Sequence, residues 1–226
     1  MALFGRRSKK NEPEAPAVAE PELSADEMQS RVRVRILPTD LAAHLGLDYA
    51  REVAPGLVAS LCVDFPDHVE SLPSVAVAAH DEQALFSAGF LNTMAEKLDL
   101  VSELEPGIYQ LVGDSVFTAS KVLGMDRLYG NALPAAPNGV LFGIPHRHLI
   151  IAHVLEGAEA IQAVTTISSA VAHFADDEGT GGPLSTDTYF YRDGLIDVVS
   201  TRDAEGKTHV NGSGRFGLAL QELLAG

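Results

Sequence analysis

Arg31-Val-Arg-Val-Arg-Ile36 alternates charged and apolar residues at a period of two, which predicts a half-exposed strand with Arg31, Arg33 and Arg35 along one face. Just before it, Ser24 stands three residues ahead of Glu27, the spacing of a capping box, so a short helix begins there. Thr39 is placed to cap a helix through about residue 46, and a second helix is predicted over 51–63, ending before Pro66. Residues 72–79 read as an extended run. Asp81 then caps a helix over 82–98, where Leu85, Phe86, Leu91, Met94 and Leu98 form a wide apolar stripe.

The pattern sharpens past residue 100. Residues 108–112 are a strand that turns at Gly113-Asp114, residues 116–124 are helical, and 134–139 form a loop. Two short buried strands, 140–144 and 149–154, are separated by Pro145. A helix over 157–176 carries Ile161, Val164, Ile167, Val171 and Phe174 at intervals of three or four, so one stripe packs on a sheet. Strands over 188–192 and 195–199 flank Asp193-Gly194, a hairpin signal. A last helix over 213–224 turns Phe216, Leu220 and Leu223 inward. This order predicts an α+β fold, a mixed, mostly antiparallel sheet with helices packed on it, rather than a doubly wound sheet. It forms a single domain over 24–226, or two subdomains meeting near 100–107.

Charge changes this picture at the N-terminus. Residues 1–35 hold seven Lys/Arg against six Asp/Glu, whereas 36–226 hold nine against twenty-five, a net of −16. A body this acidic repels phosphate backbones, which argues against nucleic acid as a partner. Residues 1–23 are rich in Pro, Glu and Ala and read as a disordered tail. Leu3, Phe4, Arg6, Arg7, Lys9 and Lys10 at its start make a marginal foot for an anionic membrane or an acidic partner. No apolar run approaches the roughly 20 residues of a membrane span, and the start lacks a secretory signal. Cys62 is the single cysteine, set among apolar residues, and reads as a small buried side chain in a reducing, cytoplasmic setting.

Candidate chemistry is sparse. His146 and His148 flank Arg147 and could share a metal, with His153 or His173 as a third ligand, but no metalloenzyme spacing is present and surface or turn histidines are the plainer reading. Asp176, Asp177 and Glu178 precede a glycine-rich loop that lacks the alternating oxygen ligands of a calcium site and the Lys-Ser/Thr of a phosphate loop. Ser120-Lys121 invites a serine–lysine reading, yet neighbours on a helix point about 100° apart. No cofactor fingerprint is found.

Gly113-Asp-Ser-Val-Phe-Thr-Ala-Ser-Lys-Val-Leu, Gly139-Val-Leu-Phe-Gly-Ile-Pro-His-Arg-His-Leu-Ile-Ile, the small-residue helix and the Tyr-Phe-Tyr-Arg-Asp-Gly hairpin together resemble the bacterial YtpQ-like family of unknown function, over roughly residues 84–201. The resemblance implies the order of elements and a cytoplasmic setting, and no catalytic residues. The function expected is a non-catalytic module that binds another protein or a small ligand. The alternative is a hydrolase with its site near Asp114, Ser120, Arg147 and His148, if the turns that carry them lie side by side.

Overall fold

The computed structural model describes residues 23–157, 159–175, 177, 179–203 and 205–225. The expected tail, with Leu3, Phe4, Arg6, Arg7, Lys9 and Lys10, lies outside the described residues except for Leu23, which packs against the cluster containing Met28. Helix α1 (Ala25–Arg31) starts at the expected capping box: Ser24 Oγ accepts from Glu27 N at 3.3 Å, and Glu27 Oε2 accepts from Ser24 N at 3.0 Å. Strand β1 (Val32–Pro38) buries Val32, Val34 and Ile36, while Arg33 and Arg35 stay half-buried on the opposite side. Pro38, rather than Thr39, occupies the N-cap of α2 (Thr39–His44), without a side-chain hydrogen bond.

Residues 51–63 are not helical. Strands β2 (Arg51–Ala54) and β3 (Leu57–Asp64) form a hairpin through Pro55-Gly56, where Gly56 has φ +82°. Strand β3 pairs with β1 on one side and with β2 and β4 (Val69–Ser71) on the other, and every residue from Leu57 to Val63 is buried. A strand covered on both faces loses its period-two signal, which explains the helical reading. The run at 72–79 is likewise a one-turn helix, α3 (Ser74–Ala78), with Pro73 at its N-cap. Helix α4 (Glu82–Ala95) is capped as expected, Asp81 Oδ1 accepting from Ala84 N at 3.1 Å. It lays Leu85 and Phe86 against the first sheet, while Leu91 points to solvent.

The second sheet has seven strands, all antiparallel: β5 (Leu100–Glu105), β6 (Ile108–Val112), β7 (Val140–Gly143), β8 (Leu149–Val154), β9 (Thr188–Arg192), β10 (Leu195–Arg202) and β11 (Thr208–Val210). Their order is β11-β10-β9-β7-β8-β6-β5. The Asp193-Gly194 hairpin forms as expected, with both residues at positive φ (53° and 77°). Helices α5 (Ala160–Phe174) and α6 (Gly214–Ala225) cover one face, where Val164, Ile167, Val171 and Phe216 meet Leu141, Ile151 and Phe190. Ile161, expected inward, is exposed. On the other face a 3₁₀ segment (Ala119–Leu128) packs Val122 and Met125 among Phe142, Ile150 and Tyr189. The same core takes in Ile36 and Leu57, so it joins the two sheets. The fold is α+β and antiparallel, with helices on the sheets. Among the described residues, no helix is long and apolar enough to cross a membrane.

The edge of the first sheet is closed by side chains rather than by a neighbouring strand. Thr93 Oγ1 accepts from Val34 N at 3.0 Å and donates to Val34 O at 2.9 Å, and Ser120 Oγ accepts from Ile36 N at 2.9 Å. Both hydroxyls are buried. They supply the outer bonds that an edge strand otherwise offers to another chain. Ser120→Ala leaves the Ile36 amide buried without an acceptor, and a loss of about 1–3 kcal/mol is expected. Urea unfolding with an unchanged slope would register this as a lower midpoint; an unchanged midpoint would mean that β1 is not held by this bond.

Candidate functional site

Two turns of the second sheet meet beside that edge, as the hydrolase alternative required. Pro145 stops β7, and the chain reverses through His146 to His148 before β8. Ala119 N donates to Arg147 O at 3.0 Å, Gly113 N donates to His148 O at 3.1 Å, and Leu184 N donates to Pro145 O at 2.9 Å. The start of the 3₁₀ segment, the β7–β8 turn and the loop around 181–184 are thereby stitched together.

Between this junction and the first sheet lies a cleft of about 760 Å³. The first-sheet wall includes Arg35, Leu37, Phe65 and His68, and the second-sheet wall includes Asp114, Val116, Phe117, Arg147, Gly181 and Leu184. Of the four expected site residues, Asp114 and Arg147 line the cleft. His148 lies directly behind Arg147: Arg147 Nε donates to His148 Nε2 at 3.1 Å, and His148 Nδ1 lies 3.1 Å from Gly113 O. A carbonyl only accepts, so Nδ1 carries the proton and Nε2 is left free to accept from the guanidinium. Ser120 is elsewhere. Its Oγ is buried and committed to Ile36 N, which fits a structural hydroxyl rather than a nucleophile.

Lys121 does not face Ser120 either. Its Nζ donates to Met94 O at 2.7 Å, at the C-terminal end of α4, where a cation suits both the free carbonyls and the helix dipole. Burial pulls the Lys121 pKa below the usual lysine range, with Glu96 opposing. Burial pushes the Cys62 thiol up to about 12, a value that keeps it protonated and unreactive near neutrality.

The histidines are dispersed. His146 is buried, and its Nδ1 accepts from His148 N at 3.3 Å. The two rings stand 6.2 Å apart between centroids. His153 Nδ1 donates to Gly107 O at 2.9 Å, with Nε2 buried and without a partner, and His173 packs edge-on to Phe174. Among the described residues, no group of three or more His, Cys, Asp or Glu is placed to hold a metal. Of the acidic run ahead of the glycines, Asp176 and Glu178 lie outside the described residues and Asp177 is exposed.

Burial lowers the His146 pKa, helped by His148 and Arg147 and opposed by Asp177. The unfolded chain therefore binds a proton near pH 6.5 that the folded chain still refuses. Stability intact above that pH is lost as the pH falls through it. The urea midpoint is expected to drop between pH 7.5 and 5.5, and to drop less in His146→Gln; equal drops in the two proteins would remove His146 as the cause.

The arginine stripe of β1 resolves into three environments. Arg33 Nε meets Glu96 at 2.9 Å and its Nη2 lies 3.7 Å from Asp64. Arg31, the last residue of α1, sits with its guanidinium 5.8 Å from the Phe65 ring centroid. Arg35 forms no ion pair with a described residue, and its Nε is buried without a hydrogen-bond partner. Sequence alone does not separate Arg35 from Arg33, because the difference lies in Glu96, which α4 delivers to one and not the other. Gly181 was also missed as a site residue: with φ +81° it brings backbone so close that a Cβ there would stand 2.6 Å from Arg147 Cζ.

Compared with known proteins, the chain matches no family model, no curated protein and no solved structure.

Proposed function

We propose that this protein is a non-catalytic binding module of the cytoplasm whose ligand occupies the cleft between the two sheets. The observation that carries the reading is the pairing of a cleft of about 760 Å³ with two arginines, Arg35 and Arg147, that no described carboxylate neutralises. That volume falls in the range of small-molecule sites, roughly 300–1,000 Å³. Apolar walls and a few fixed polar groups are the usual composition of such sites. The placement of Ser120 on Ile36 N weighs against the hydrolase alternative, since it takes the nucleophile out of the cleft. The single buried cysteine supports a reducing compartment. Residues 84–201, the span of the YtpQ-like resemblance, supply Asp114, Val116, Arg147 and Gly181 to the cleft, and kinship with that family is part of this proposal.

The test is a thermal-midpoint screen of the full chain against small molecules of varied charge, run beside Val116→Trp, which fills the cleft from its wall. Ligands that bind the folded state raise the midpoint by mass action. The reading expects at least one compound that raises it in the native chain and not in the filled one. A screen whose responses are all shared by Val116→Trp would contradict it.

A further inference from the structure

We propose that the ligand of this cleft is a small organic oxyanion, its carboxylate or phosphate group held by the guanidinium groups of Arg35 and Arg147. The inference rests on the binding reading above and specifies its chemistry.

Charge accounting points first to an anion. The chain has 31 acidic residues against 16 basic ones, so carboxylates are plentiful, and other arginines take them: Arg33 on Glu96, Arg51 on Glu82, Arg192 on Glu222 and Arg215 on Asp197. The acids that line the cleft are mostly committed as well. Asp64 and Glu96 face Arg33, Asp99 holds Lys97 and the Asp114 amide, and Asp67 bonds His68. What remains without a carboxylate partner among the described residues is the pair Arg35 and Arg147, beside the exposed Asp114 carboxylate. Two cationic side chains of the cleft thus lack a carboxylate partner in a protein that is otherwise strongly negative.

Geometry supports a preformed grip. Arg147 is fixed at three points: its carbonyl by Ala119 N, its Nε by the His148 ring, and its Cζ by the close backbone of Gly181. This leaves the two terminal nitrogens of the fork unbonded among the described residues, the edge that matches a carboxylate or phosphate with two parallel bonds. A group locked in this way loses little entropy on binding. Arg35 sits next to Ile36, whose amide is bonded to Ser120, while Arg147 is bonded to Ala119. The backbone beside Arg35 and the backbone of Arg147 are thus tied to the adjacent residues Ser120 and Ala119. The buried, unpartnered Nε of Arg35 is a donor that a purely structural arginine would have satisfied. Leu37, Val116, Phe117 and Leu184 add apolar wall for the body of the ligand. A long polyanion is disfavoured by the acidic surroundings, which leaves a single-headed small acid.

Isothermal titration of the full chain separates the possibilities. The probes are inorganic phosphate, phenyl phosphate and phenylacetate as anions, with benzyl alcohol and benzylamine as neutral and cationic counterparts. One-site binding of at least one anion is expected, and phenyl phosphate against phenylacetate tells which head group is preferred. Affinity should fall at least tenfold in Arg35→Gln, in Arg147→Gln and in Arg147→Lys, which keeps the charge but loses the fork. It should not change in Arg202→Gln, an exposed arginine outside the cleft. Anion binding that survives both Gln substitutions overturns the inference. Binding of benzyl alcohol or benzylamine alone, lost in Val116→Trp, overturns it too but leaves the cleft reading standing. No binding by any probe, together with a flat thermal screen, overturns both.

Discussion

Gly139→Ala is expected to lower the unfolding free energy by roughly 3–5 kcal/mol, combining backbone strain of order 1–3 kcal/mol with an overpacking cost of similar size. Gly139 adopts φ +100°, a conformation that L side chains rarely adopt, and a Cβ there would lie 2.5 Å from Phe190 Cζ and 2.7 Å from Tyr191 O. Neither neighbour can yield. Phe190 is fully buried and the Tyr191 oxygen belongs to the β9 backbone, while Gly139 itself accepts from Leu155 N at 3.1 Å. Gly130 is the control, at φ +74° with nothing within 4 Å of its Cβ position, so Gly130→Ala carries only the strain. Urea unfolding should rank the two well apart; losses of equal size would mean that the packing around Gly139 relaxes freely.

The second large effect runs in opposite directions for stability and binding. Arg35→Met is expected to raise the unfolding free energy by about 1 kcal/mol, since a buried donor left without a partner costs about 1–3 kcal/mol and methionine keeps the aliphatic packing. Arg35 has no carboxylate partner to lose among the described residues. The same substitution should weaken anion binding at least tenfold. Residues kept for function at a cost in stability are a general feature of sites. Chemical unfolding and calorimetry on the same preparation check both halves. A loss of stability of that size would assign Arg35 a structural role and weaken the case for it as a ligand contact.

The legible parts of the fold were those whose signal is local. Ser24 and Glu27 specify a cap between themselves, Asp193-Gly194 needs only its own positive φ, and Pro145 ends β7 without help. The misread parts depend on partners. β3 lost its alternation because it is covered on both faces; β5 and β11, for which no element was expected, are edge strands with mostly exposed side chains, so only pairing with β6 and β10 defines them. Leu91 and Ile161 kept the spacing of the apolar stripes on α4 and α5 while lying at their exposed margins.

The site was legible in part for the same reason. The Asp114–Ser120 and Pro145–His148 turns were expected side by side only if their flanking elements shared one sheet, and the pairing of β8 with both β6 and β7 meets that condition. Which side chains face the cleft did not. Ser120 is drawn away by the unpaired edge of β1, a tertiary demand that no local motif announces. Arg35 and Arg147 lie on different sheets, and their shared lack of a carboxylate partner is visible only once the cations that Asp64, Glu96 and Asp99 meet are known.

The cleft between the sheets, with Arg35 and Arg147 on opposite walls, is the proposed binding site. Backbone amide shifts of the ¹⁵N-labelled full chain, recorded while phenyl phosphate or phenylacetate is added, test it most directly. Saturable shifts are expected, concentrated at Arg35, Leu37, Ser115, Val116, Arg147 and Gly181, with α5 and α6 unmoved. Shifts confined to the far face of the second sheet, or spread over exposed arginines such as Arg202 with no saturation, would contradict it.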